Sequence, residues 1–195
     1  EMLRRACQQF ATGFGTPCEL IPGREAVAEV VLATSPLTAL LLTSMIEWFT
    51  QLHYVEHVRD GDDLDRLFRD ILRFHWIDES RHARLDSMLI DEVAGGLSGQ
   101  ERERAVDELL DLGSAIDGLL AQQVELDIEA LARRTGRSFS EKETSEIRNA
   151  QQRGYRWTFL VSGLEHPKFT QIVADLTAAG NDKLAAAATA LSAPT

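Results

Sequence analysis

The residues best suited to chemistry sit together in the run Phe74-His75-Trp76-Ile77-Asp78-Glu79-Ser80-Arg81-His82. His75, Glu79 and His82 are spaced i, i+4 and i+7. At about 100° per residue in an α-helix, the three fall within about 60° of one another. Two imidazoles and a carboxylate on one helical stripe are the donors a divalent transition metal takes. A second carboxylate, Glu47, precedes Glu79 by 32 residues. The acidic Asp60-Gly61-Asp62-Asp63 lies between them and reads as a tight turn. Two helices joined by such a turn are antiparallel neighbours. Glu47 lies about 14 residues before the turn and Glu79 about 18 after it, so both reach roughly the same level at about 1.5 Å per residue. One helix therefore offers a carboxylate, and its partner offers Glu-x-x-His.

The elements that must position these residues are all helical. Residues 1–12 form an amphipathic helix, and Gly13, Gly15, Pro17, Pro22 and Gly23 punctuate the loop after it. Residues 24–33 suit a short helix. Ser35 as a cap with Pro36 at the first helical position starts a largely apolar helix to about residue 59. The next runs from about 64 to 93 and carries the titratable run in line with its apolar side. Ser98 with Glu101 and Ser140 with Glu143 are capping boxes that open helices over 98–135 and 140–164. Pro167 starts a further helix, and Gly180-Asn181 splits the tail. No stretch asks to be a strand. The expected fold is all-α, a single domain over residues 1–195. We expect a four-helix bundle over about 36–165, with extra short helices at both ends.

Composition narrows the function. The chain has 195 residues, 44% of them hydrophobic and 26% charged, with a net charge of −11. That suits one globular domain with a sizeable core. It disfavours nucleic acid and anionic membranes, because Lys and Arg are too few to neutralise phosphates. The longest apolar run, near Leu37–Leu42, is too short to span a bilayer, and no secretory signal is visible. Cys7 and Cys18 read more simply as reduced thiols than as a disulfide. A cytoplasmic protein is expected. The chain opens at Glu1 and not at Met, which leaves room for a natural N-terminus upstream.

Glu47 together with His75-x-x-x-Glu79-x-x-His82 resembles the motif of ferritin-like carboxylate-bridged di-iron proteins, nearest the p-aminobenzoate N-oxygenase branch. That resemblance implies Glu47, His75, Glu79 and His82 as metal ligands. It implies iron, one or two ions with manganese as an alternative, and dioxygen with a small organic substrate as reactants. The pattern departs from the family in its second half. The third helix offers Asp127 and Gln123 in place of a Glu. The fourth offers no carboxylate or His between Gln152 and Phe159, and Arg156 stands there, placed to pair with Asp127. Gln123, Asp127, Tyr54 and Arg156 are thus expected to support the ligands from behind, with Tyr54 read first as core packing. Three readings stay open: a mononuclear site, a cofactorless descendant, and a site completed from another chain or a missing N-terminus. A non-catalytic helical scaffold or interaction protein is the rival to an oxidase or oxygenase, and metal storage is a weaker one. The apolar helices leave room for a homodimer. His53, Glu56 and His57 lie more than about 90° around the helix from Glu47 and read as surface or second-face residues. His166 reads as a helix-junction residue, and Trp48, Trp76 and Trp157 as packing anchors.

Overall fold

The computed structural model describes residues 2–21 and 24–193, so Pro22 and Gly23 of the first loop lie outside the described residues. Among the described residues every regular element is helical. In chain order these are α1 (Met2–Phe14), α2 (Arg24–Leu32), α3 (Pro36–His53), α4 (Arg66–Gly95), α5 (Gly99–Thr135), α6 (Glu141–Arg156), α7 (Ser162–Leu164), α8 (Pro167–Leu176) and α9 (Gly180–Ser192). Two π-helical turns interrupt this pattern, Tyr54–Val58 after α3 and Trp157–Val161 between α6 and α7. In the first, the Arg59 amide reaches the Tyr54 carbonyl five residues back, at 2.9 Å. No helix among the described residues is long and apolar enough to cross a membrane.

The helix starts follow their local chemistry. Ser35 accepts from the Thr38 amide with Pro36 behind it, and Asp65 accepts from Phe68. Both expected capping boxes, Ser98/Glu101 and Ser140/Glu143, are formed in full. Each satisfies two amide donors that the first turn would otherwise leave open. Gly136 ends α5 with φ 64°, a left-handed conformation that costs a glycine little.

α3 is the hub. Leu37, Leu41, Leu42 and Met45 are buried along it. Around it pack α4, α5, the continuous α6–π–α7 rod, and more lightly α2 and α8. Its first turn is tied to α5, where the Glu108 carboxylate accepts from the Ser35 amide at 3.1 Å and the Thr38 hydroxyl at 2.8 Å. A carboxylate at a helix N-terminus also faces the positive end of the helix dipole. α8 and α9 close the core with Phe169, Val173 and Leu184, all within 1% of full burial. α4 is different, because it packs principally on α3 and on the π turn that follows α3. Gln51 fastens the two helices: it donates to the Trp76 carbonyl at 3.0 Å and accepts from Ser80 at 2.9 Å.

Gly163 lets α7 lie against α3. A Cβ there would stand 2.7 Å from the Met45 Cγ and 2.9 Å from the Met45 carbonyl oxygen. A Gly163→Ala variant should therefore lose about 1–3 kcal/mol of stability, as overpacked cores do. Gly113 sits in α5 with open space where its Cβ would go. There the same substitution should gain about 0.5–1 kcal/mol. Thermal melts of the two variants against the parent should move in opposite directions.

Candidate metal centre

α3 and α4 bring Glu47, Glu79 and His82 to one place. One ligand atom from each can be chosen so that all lie within 4.8 Å of one another. The His82 Nδ1 is 2.6 Å from the Glu79 Oε2 and 3.9 Å from the Glu47 Oε1. His75 stands one turn back on α4, with its Nε2 2.7 Å from the Glu79 Oε1. The Glu79 carboxylate is thus gripped by an imidazole on each oxygen. His75 lies behind Glu79 and outside the three-residue cluster. Glu47 and Glu79 are largely sheltered, with about 15% and 16% of their side chains exposed, while His82 is half open at 50%.

The electrostatics follow from that burial. Glu47 is pushed up to about 8, first by desolvation and then by its carboxyl-to-carboxylate hydrogen bond with Glu79. Glu79 moves the other way. Burial raises it, but hydrogen bonds from Glu47 and His82 and the charge of His75 together hold it below the usual carboxylate range. His82 is raised by its hydrogen bond to Glu79. One proton is therefore held on Glu47, and the negative charge is concentrated on Glu79 between the two histidines. Asp86, one turn beyond His82, is raised by burial.

The cluster suits a metal ion. The buried Glu47 Oε2 accepts no hydrogen bond from the protein. An orphaned carboxylate oxygen beside a second carboxylate and an imidazole is a donor set that a hard-to-borderline divalent cation satisfies. The half-open His82 side leaves room for further ligands.

The residues expected to support the ligands are placed otherwise. Arg156 does not pair with Asp127. Its guanidinium makes a two-pronged bridge to Asp117, at 2.7 and 2.8 Å. Asp117 lies on α5 nearly three turns before Asp127, and the antiparallel run of α6 puts Arg156 at that level. Asp127 instead accepts from the Tyr155 hydroxyl at 2.5 Å, from Gln151 at 3.4 Å and from Gln123 at 3.0 Å. Burial, then this bond, pushes Tyr155 up to about 12. Gln123 also holds the chain after α1, donating to the Glu19 carbonyl and accepting from the Ile21 amide. These residues thus form an α5–α6 network of their own, with no bond to Glu47 or Glu79 among the described contacts. Tyr54 is buried and stacked on Trp76 at 5.1 Å, so it packs.

His53 precedes the first π turn and His57 lies within it, with ring centroids 5.7 Å apart, and His57 meets Trp157 edge-to-face at 4.7 Å. His166 caps α8 and stacks on Trp48 at 4.7 Å. Cys7 and Cys18 are free and exposed. Gln51 and Asp86 are not among the residues expected from sequence. Asp86 lies in line with His82 at i+4, and Gln51 follows Glu47 by one turn, so their spacing was the available signal.

No protein-family model, curated protein or solved structure matches this chain.

The proton on Glu47 gives a signed pH effect. In the unfolded chain Glu47 ionises near its ordinary 4.5, and in the metal-free fold near 8. The folded state therefore binds the extra proton, and stability from this group falls as pH rises between those values. Glu47→Gln removes the penalty. It should raise the melting temperature of metal-free protein by several degrees at pH 9 and by little at pH 4.5, at roughly 2–4 °C per kcal/mol for this length. A melting series across pH checks the slope.

Proposed function

We propose that the protein is a metal-dependent oxidoreductase of ferritin-like helical architecture, nearest in motif to the p-aminobenzoate N-oxygenase group, acting on a small organic substrate with dioxygen. The observation that carries this reading is the convergence of Glu47, Glu79 and His82 on one point, with Glu79 oriented by His75. Glu47, Glu79 and His82 would hold the metal, iron by preference and manganese as an alternative. Iron in such a carboxylate–imidazole site supplies redox chemistry and open positions for dioxygen.

The chain's own contribution is positioning and charge. His75 fixes the Glu79 carboxylate plane, as groups behind a ligand commonly do. Gln51 and Ser80 hold α3 and α4 in the register that sets Glu47 opposite Glu79. Burial and the neighbouring Glu79 raise the Glu47 carboxyl to about 8 in the metal-free fold, so a cation bound there would displace its proton to solvent.

A second reading has its own support. The fourth-helix level is occupied by the Arg156–Asp117 bridge and the Tyr155–Asp127 bond, which supply no ligand to the cluster. A helical scaffold retaining part of a metal site fits that arrangement. Metal titration separates the two. Under the proposal, anaerobic protein takes up Fe(II) or Mn(II) stoichiometrically. Glu79→Ala and His82→Ala should abolish that uptake, and His75→Ala should weaken it about 10–100-fold. Sub-stoichiometric uptake of both metals by the parent would leave the scaffold reading.

A further inference from the structure

α4 has two apolar sides. One, with Ala83, Ile90 and Ala94, is buried. The other is open: Leu67 is 60% exposed, Phe74 57%, Leu85 52% and Met88 62%. On the helix these four fall within about 60° of one another. His75, Glu79 and His82 lie between the two sides. A helix apolar on both flanks of a polar ligand row is built to be covered from both, and α3 covers only one. Ile71, close to the same line, is already buried.

We propose that a second copy of this chain covers the open side of α4, pairing the helix with itself about a twofold axis. What selects a second copy is self-complementarity along α4. Phe74, Asp78, Arg81 and Leu85 follow in steps of four, three and four, the spacing of a helix-pairing seam. Set antiparallel to itself about a twofold axis between residues 79 and 80, this seam puts Phe74 against the partner's Leu85 and Asp78 against the partner's Arg81. Each contact is made twice, as an isologous interface requires. Asp78 and Arg81 are 62% and 77% exposed and only loosely joined within the chain, at 3.9 Å. The ligand row of His75, Glu79 and His82 lies about 100° around α4 from this seam, so each copy keeps its own cluster.

The test uses the whole chain, metal-free first, by light scattering on a sizing column and by analytical ultracentrifugation over about 1–200 μM. The expected result is a dimer that forms without metal. Leu85→Asp should make it monomeric while leaving the helical circular dichroism unchanged, since Leu85 is exposed. Asp78→Arg and Arg81→Asp should each weaken the dimer about fivefold or more, and the double swap should restore it, because opposite charges face each other again. A monomer at the highest concentration, a dimer indifferent to Leu85→Asp, or a double swap no better than either single variant would overturn the proposal. A monomer that binds metal stoichiometrically would overturn the second copy and leave the metal reading standing. A dimer with the expected charge behaviour and no metal uptake would do the reverse: the interface would hold and the metal reading would fall.

Discussion

The burial of α3 is the constraint on which the rest depends. Its apolar positions face several helices at once, so the core forms around it. That leaves little freedom for its polar residues. Glu47 lies on the side of this helix that faces α4, and its carboxyl is sheltered there, with 15% of the side chain exposed. A carboxylate there has to find a compensating charge, keep a proton or hold a cation. The first of these is only partly met, by His82 at 3.9 Å, and no Lys or Arg is paired with Glu47 among the described residues. The proton on Glu47 and the affinity for a cation are then two answers to the same desolvation.

Charge is distributed unevenly around that point. Glu79 draws the two imidazoles, and Glu47 is left to carry the cost. A symmetrical pair of carboxylates would share the proton. Here the histidines bias it, because they favour the ionised form of the carboxylate they touch. The asymmetry follows from spacing alone: i−4 and i+3 on one helix put imidazoles on both sides of Glu79, while Glu47 has no histidine at equivalent positions on α3.

Much of this was legible in the sequence. Capping boxes, the Ser35-Pro36 start and the acidic turn before α4 are local signals, and each helix began within a residue or two of its signal. The meeting of Glu47, Glu79 and His82 was legible because a short connection fixes the relative level of two antiparallel helices. The α5–α6 contacts were not. Those helices are long, and a small error in level exchanges one acidic partner for another, so Arg156 meets Asp117 and not Asp127. Nor did periodicity reveal that α4 would lean on α3 with its other flank open, since an apolar face does not say which neighbour covers it. The π turns also left no mark on a pattern read with a fixed 3.6-residue period.

The π turn at Tyr54–Val58 gives the connection between the two carboxylates a place that absorbs one residue of length. Such a turn accommodates one more residue than an α-helix would at the same place. Excising a single residue there would let the segment relax to ordinary helix. The chain beyond it would keep its direction, because the extra residue is taken up within the turn. The same excision from the α-helical stretch between Glu47 and Tyr54 would turn the following chain by about 100° and move it by about 1.5 Å. Tyr54 would leave Trp76, and Glu79 would no longer stand opposite Glu47. The loop tip at Asp62-Asp63 can vary in composition at little consequence, but the number of α-helical residues between Glu47 and the π turn behaves as a structural dimension of the site.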